Sequence, residues 1–239
     1  MSDDLKDLLP LRKPTSDRPL LGSTVLVVED SRFACEAMRL LCLRSGARIR
    51  RADCLASAAR HLKTYRPTAI IVDMGLPDGS GLDLIGELAH AESRVPVILG
   101  TSGDPEMEPV AREAGADGFL TKPITGLAPF QQAILEHLPP TSRPQGLRQV
   151  STEEINPDPI ALRDDLAHVA DILSGGSDDN TLDYVAQFLA SLAYSATDDH
   201  LARAAESLSH ARANGQPSAA AIAQISNLVD DRLTANGPI

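Results

Sequence analysis

Apolar runs and helical stripes alternate five times between residues 23 and 138. Thr24–Val28 and Ala69–Val72 are apolar runs that are too short for a helix and show no alternation, so they predict strands buried on both faces. Each strand is followed by a segment with helical spacing of its apolar residues, and Ser31 can cap the first of these helices. Strands that alternate with helices predict an α/β fold, a doubly wound five-stranded parallel sheet with right-handed crossovers.

Two of the predicted elements have special features. The second strand, around Ile49, carries three arginines, and such charges are typical of a strand at the edge of a sheet. Pro109 interrupts the helix between the fourth and fifth strands, because proline lacks the N–H that an intrahelical hydrogen bond needs. We therefore expect this helix to begin late, near Glu108, after a loose segment over residues 103–108.

The pattern becomes wholly helical in the C-terminal part of the chain. Residues 139–159 contain five prolines among polar residues, a composition typical of a linker. Residues 160–239 hold four amphipathic stripes, which predict a C-terminal all-α bundle. The predicted organisation is a flexible tail over 1–22, the α/β domain over 23–138, the Pro-rich linker over 139–159 and a helical output domain over 160–239.

Composition and charge restrict the classes of partner. The chain has 239 residues, 43% of them hydrophobic, no Trp and a formal net charge of -11. From residue 141 onward it has six basic and fourteen acidic residues, so a basic surface for DNA is not predicted there. The three cysteines are few and odd in number, which is typical of reduced thiols, and no apolar run is as long as a membrane span. These features favour a cytoplasmic protein without a membrane or DNA partner.

Chemistry-bearing residues follow the predicted strands at their carboxyl ends, where open parallel sheets place their ligand sites. Glu29 and Asp30 follow the first strand, Asp73 ends the third, Thr101 follows the fourth and Lys122 follows the fifth. Three carboxylates placed together repel one another unless a cation lies among them, and oxygen ligands with room for water suit Mg²⁺. A lysine and a hydroxyl opposite them can bind phosphoryl oxygens. The set predicts phosphoryl transfer to a carboxylate with Mg²⁺ as cofactor.

Residues 23–138 resemble the receiver domain of two-component response regulators, a flavodoxin-like fold. The resemblance covers about half of the chain, and its motifs are specific only when taken together in order. They are Glu29-Asp30, Asp73 with the following Met74-Gly75-Leu76-Pro77, Thr101, and Lys122-Pro123.

The resemblance implies how the transfer would proceed. Asp73 would attack the phosphoryl group of a phosphohistidine on a histidine kinase or a phosphotransfer protein. Asp30, Asp73 and the carbonyl of Gly75 would bind Mg²⁺ directly, whereas Glu29 would act largely through water. Lys122 would pair with the phosphoryl group.

The resemblance also implies a switch after the transfer. Thr101 would move toward the phosphoryl group, and Phe119 would take the position of the rotating aromatic residue on the fifth strand. Phe lacks the hydroxyl of the Tyr that many members of the family have there, so an output contact that needs this hydroxyl is not expected.

Three histidines of the helical region, His168, His200 and His210, suggest a second kind of chemistry. Phosphotransfer bundles carry an exposed histidine with a basic and a small residue three and four positions later. His168 fails this pattern. His200 matches it through Arg203 and Ala204, although it stands at the start of its helix, and in another register Glu206 replaces the histidine. The helical region is therefore at most weakly similar to a phosphotransfer bundle.

The sequence thus predicts a response regulator of a two-component phosphorelay that signals through protein interaction or self-association of its helical domain. It is expected to be a phosphoacceptor rather than an enzyme, apart from slow removal of its own phosphate. Two alternatives remain: a transcription factor whose helical domain binds DNA, and a phosphorelay intermediate that uses His200.

Overall fold

A computed structural model describes residues 13–145, 151–175 and 178–235 of the chain. Within these ranges the N-terminal part forms one parallel sheet of five strands in the order β2-β1-β3-β6-β7. The predicted fold class is confirmed, and the arginine-rich strand lies at the edge of the sheet as expected. The strands are β1 Thr24–Val28, β2 Arg48–Ala52, β3 Ala69–Asp73, β6 Val97–Ser102 and β7 Gly118–Thr121, with a short hairpin of β4 Gly75–Leu76 and β5 Gly79–Ser80 between β3 and the next helix.

In the described ranges five α-helices flank this sheet and four more follow it. The first helix begins after Ser31, whose hydroxyl accepts a hydrogen bond from the N–H of Ala34, and it ends at Gly46 in the left-handed conformation. The flanking helices are α1 Arg32–Ser45, α2 Leu55–Thr64, α3 Gly81–His90, α4 Met107–Ala114 and α5 Leu127–Leu135, and the C-terminal helices are α6 Pro159–Ser174, α7 Asp179–Ala196, α8 Asp199–Ala213 and α9 Ala219–Ala235.

The three inner strands are buried on both faces, as their continuous apolar runs predict. One face packs against α1 and α5, and the other packs against α2, α3 and α4. This double coverage leaves the carboxyl edge of the sheet as the place where polar side chains meet.

Helix α4 begins at Met107, one residue before the predicted start, and Pro109 is its third residue. Proline is tolerated there because the first N–H groups of a helix have no intrahelical acceptor. The preceding segment, which we expected to be loose, is a hydrogen-bonded turn: the Asp104 carboxylate accepts from the N–H of Glu106, and the Asp104 carbonyl accepts from the N–H of Met107.

Two segments assigned to a tail and a linker contribute to the core of the α/β domain. Leu20 is fully buried, and its N–H donates to the carbonyl of Ser45, so the assignment of all residues 1–22 to a flexible tail is wrong at its C-terminal end. Ile155 is also buried, and its N–H donates to the carbonyl of Thr125, which ties the second half of the predicted linker to the sheet domain. In both segments an apolar side chain fills space beside α1 and α5. Residues 1–12 and 146–150 lie outside the described ranges.

The four C-terminal helices close into a bundle, as predicted, since α6 and α8 each contact both α7 and α9. The core of this bundle also includes Phe33 from α1 of the α/β domain. The two parts of the molecule are therefore packed together through a shared apolar cluster. None of the helices in the described ranges is long and apolar enough to cross a membrane.

Candidate functional site

The five residues singled out at the predicted strand ends lie at the carboxyl edge of the sheet. Glu29 and Asp30 follow β1, and Asp73 ends β3 directly opposite Thr101 of β6. Lys122 follows β7, and its peptide bond to Pro123 is cis. The parallel topology brings together groups that the chain separates by up to 93 residues.

An acidic cluster forms the centre of this edge. Glu29, Asp30 and Asp73 each offer a carboxylate oxygen, and these oxygens lie within 4.8 Å of one another. Burial, and then repulsion from Asp73, raise the pKa of Asp30 to about 7. Burial and Asp73 raise the pKa of Glu29 as well. The cluster therefore favours uptake of either a proton or a cation.

Lys122 supplies a positive charge beside this cluster. Its Nζ lies 2.6 Å from Oε2 of Glu29 and 3.1 Å from Oδ2 of Asp73, and its side chain is almost fully buried. Burial lowers the pKa of Lys122, but Asp73 and Glu29 raise it by more, so the net shift is upward. The ammonium group is thus held in its charged form next to the carboxylate of Asp73.

Of the residues expected to act as a switch, Thr101 lies opposite Asp73, and Phe119 lies opposite Gly100 on the neighbouring strand. Thr101 is buried, and its hydroxyl donates a 2.7 Å hydrogen bond to the carbonyl of Leu120 on the neighbouring strand. Phe119 is partly buried against the apolar face that contains α2, α3 and α4. The Thr101 hydroxyl is therefore engaged with β7.

The donor set fits a hard divalent cation. Three carboxylates in close contact are oxygen ligands of the kind that Mg²⁺ binds, and a magnesium site usually keeps several waters. Gly75, whose carbonyl is the expected backbone ligand, is the first residue of β4, two positions after Asp73. The residues present therefore fit the ion that the sequence suggested.

Three side chains of the helical domain also reach this site, and sequence reasoning missed them. The hydroxyl of Tyr184 donates a 2.9 Å hydrogen bond to Oδ2 of Asp30. The hydroxyl of Ser191 lies 2.6 Å from Nζ of Lys122 and 3.4 Å from Oδ2 of Asp73. Helix α7 carries both residues, so it lies across the carboxyl edge of the sheet.

Asp165 of α6 is the third of these side chains and is almost fully buried. Its carboxylate accepts hydrogen bonds from the hydroxyl of Ser31 and from the N–H groups of Arg32 and Phe33. These donors form the N-terminus of α1, where the helix dipole favours negative charge. The sequence does contain a signal for Asp165. It lies three residues after Leu162 and so interrupts the apolar stripe that Leu162 forms with Leu166 and Val169.

Two cavities open between the α/β domain and the helical domain. One, of about 610 Å³, is lined by Asp30, Asp165, His168 and Tyr184 among others. The other, of about 660 Å³, reaches Asp73 and is lined on its opposite side by Gln187 and Ser191. Both volumes are typical of small-ligand sites, and Asp73 contributes to the lining of the second cavity although it is almost fully buried.

The three histidines considered for phosphotransfer are exposed on the surface of the helical domain. The ring of His168 packs edge to face against Phe188 and lines the first cavity. His200 lies at the N-terminus of α8, where its Nδ1 is 3.2 Å from a guanidinium nitrogen of Arg203. Neither His200 nor His210 lines the cavity that reaches Asp73.

Comparison with known proteins shows what the N-terminal part of the chain is similar to. The family model described as the response regulator receiver domain matches residues 25–133. The KDP operon transcriptional regulatory protein KdpE of Escherichia coli is 36% identical over 113 residues, which are 47% of this chain and 49% of that protein. The virulence transcriptional regulatory protein PhoP of Salmonella typhimurium is 33% identical over 101 residues, which are 42% of this chain and 45% of that protein. The chain thus matches about half the length of these curated relatives.

Solved structures of receiver domains are also similar to part of the chain. A putative response regulator from Chloroflexus aurantiacus is 28% identical, with a TM-score of 0.43, and the match covers 48% of this chain and 98% of that one. The receiver domain of the sensor histidine kinase PA1611 from Pseudomonas aeruginosa is 24% identical, with a TM-score of 0.44, and the match covers 48% of this chain and 96% of that one.

Proposed function

We propose that this chain, in which residues 25–133 are a response regulator receiver domain, accepts a phosphoryl group on Asp73 and signals through its helical domain. The observation that carries the proposal is the group of Asp73, Glu29, Asp30 and Lys122 at one edge of the sheet. These groups provide an acceptor, a cation site and a fixed positive charge, which are the parts that phosphoryl transfer requires.

In the proposed transfer an oxygen of Asp73 attacks the phosphorus of a phosphohistidine. A P–O bond to the carboxylate forms and the P–N bond breaks, with its electron pair leaving on the imidazole nitrogen. Bound Mg²⁺ would supply charge neutralisation, held by Asp30, Asp73 and the Gly75 carbonyl, with Glu29 largely through water. Lys122 orients and stabilises the incoming phosphoryl oxygens.

The proposed partner that donates the phosphoryl group is a histidine kinase or a phosphotransfer protein, because transfer to an aspartate needs a high-energy donor. After the transfer, the hydroxyl of Thr101 would leave the Leu120 carbonyl and turn to the phosphoryl group, and Phe119 would follow it. The output would be protein binding or self-association of the four-helix domain.

DNA binding is the second candidate for the output. The curated relatives KdpE and PhoP are named transcriptional regulatory proteins, which runs against the expectation that DNA is disfavoured. The helical region, however, has fourteen acidic and six basic residues from position 141 onward. A DNA-binding output predicts a salt-dependent mobility shift with duplex DNA, because affinity for phosphates comes from released counterions.

Intact mass spectrometry of the full chain tests the proposed acceptor. With Mg²⁺ and the small donor phosphoramidate, the wild type should gain the mass of one phosphoryl group. Asp73→Asn should gain none, whereas Asp83→Asn, which changes an exposed carboxylate on α3, should react as the wild type does. Equal labelling of Asp73→Asn and the wild type would contradict the proposal.

A further inference from the structure

We infer that α7 is a built-in plug of the acceptor site, in which the hydroxyl of Ser191 holds the place of a phosphoryl oxygen. This inference rests on the proposed function of Asp73 and adds a regulatory element from the helical domain. Ser191 lies between the two groups that transfer needs, 2.6 Å from the ammonium of Lys122 and 3.4 Å from the carboxylate of Asp73.

The number of N–H donors on Lys122 shows why the Ser191 hydroxyl and a phosphoryl oxygen exclude each other. A lysine ammonium has three N–H donors and no acceptor. In this structure Nζ of Lys122 has three oxygen partners within 3.1 Å, on Glu29, Asp73 and Ser191. A phosphoryl oxygen can pair with Lys122 only if one partner gives up its hydrogen bond. Ser191 is the only neutral partner of the three, so its hydrogen bond is the one that an anionic phosphoryl oxygen replaces.

A second contact of α7 acts on the cation site. The hydroxyl of Tyr184 donates to Oδ2 of Asp30, one of the three residues that form the acidic cluster. Tyr184 and Ser191 are seven residues apart and so lie on the same face of the helix. One face of α7 therefore contacts both the cation site and the acceptor group.

Close approach of α7 to the receiver depends on two glycines. A Cβ at Gly103 would collide with the ring of Tyr194, and a Cβ at Gly75 would collide with the side chain of Gln187. The loops after β6 and β3 thus leave room for α7, and a larger residue at either glycine would fill that room. This packing places α7 where a phosphodonor protein would have to approach Asp73, while the cavity of about 660 Å³ leaves a route for a small donor.

The plug predicts that weakening α7 contacts accelerates phosphorylation of Asp73 by phosphoramidate in the full chain. Ser191→Ala removes one hydrogen bond to an ammonium group, and we expect the labelling rate to rise about tenfold. Ser195→Ala is the matched control, because the hydroxyl of Ser195 donates to the carbonyl of Ser191 within the helix. Its rate should equal that of the wild type.

Gly103→Ala provides an independent variant that leaves the acidic cluster unchanged. The added methyl group should displace α7 and raise the labelling rate, whereas Gly86→Ala, whose Cβ would lie 3.9 Å from the carbonyl oxygen of Ala114, should not. Equal rates for Ser191→Ala, Gly103→Ala and the wild type would overturn the plug and leave Asp73 as the acceptor. Absence of labelling in all of these proteins would overturn the proposed function itself.

Discussion

Asp30 is the titratable residue whose environment gives the clearest prediction at the scale of single side chains. Burial and the nearby carboxylate of Asp73 raise the pKa of Asp30 from 3.8 to about 7. Between these two values the native state retains a proton that the unfolded state has lost. Native stability without metal should therefore fall as the pH rises from about 4 to about 7.

Thermal unfolding of the metal-free chain measures this effect. We expect the stability lost across this pH window to be on the order of 1 to 3 kcal/mol, because Asp30 is only partly buried and solvent screening reduces the full value. Asp30→Asn should remove the part of the loss that belongs to Asp30 and leave the part due to the raised pKa of Glu29, and saturating Mg²⁺ should reduce both. Asp53→Asn serves as the control, because Asp53 is an exposed carboxylate that lines the same cavity as Asp30. A pH profile of Asp30→Asn that matches the wild type would count against the raised pKa of Asp30.

At this scale the sequence indicates only part of the site. Asp73, Glu29, Asp30 and Lys122 could be found because a strand pattern fixes where each strand ends, and parallel strands end at one edge. Ser191 could not be found in this way. It lies in the middle of a helix, and only tertiary packing brings it to the acidic cluster.

Helix α1 shows how an element of one domain is completed by the other. Its first N–H groups, which lack intrahelical acceptors, donate to Asp165 of α6. The sequence indicates the local cap at Ser31, but it does not indicate that the Ser31 hydroxyl in turn donates to a carboxylate 134 residues away.

Asp165→Ala should lower the free energy of unfolding by about 2 kcal/mol, because it leaves charge-assisted hydrogen bonds at the start of α1 unmade. Asp164→Ala is the matched control. Asp164 forms an exposed ion pair with Arg32, and such pairs contribute little. Urea unfolding of the two variants measures the difference, and similar losses for both would show that Asp165 does not hold α1.

Helix α4 shows where pattern reasoning reaches its limit at the scale of elements. The sequence places its start within one residue, since Pro109 restricts the choice of first turn. The turn before it does not show in the apolar spacing; its signal is Asp104, whose carboxylate accepts a hydrogen bond from the N–H two residues later.

The whole molecule differs from a chain of two independent domains joined by a linker. Local patterns predict the sheet and the four-helix bundle separately, since each is built from short-range periodicity. They do not predict how the two parts meet, because the contact between Asp30 and Tyr184 joins residues 154 positions apart. In the structure Asp73 and Lys122 lie at this junction, in contact with Ser191 of α7, so the proposed phosphorylation of Asp73 would be coupled to the arrangement of the domains.

Amide hydrogen exchange of the full chain tests this coupling most directly. It is measured with and without Mg²⁺ and phosphoramidate, with Asp73→Asn as control. We predict faster exchange in α7, over residues 179–196, and at the N-terminus of α1 in the phosphorylated wild type only, because a phosphoryl group displaces Ser191 and loosens the contact with α6. Exchange that stays unchanged in a wild type shown by mass to carry the phosphoryl group would contradict the account.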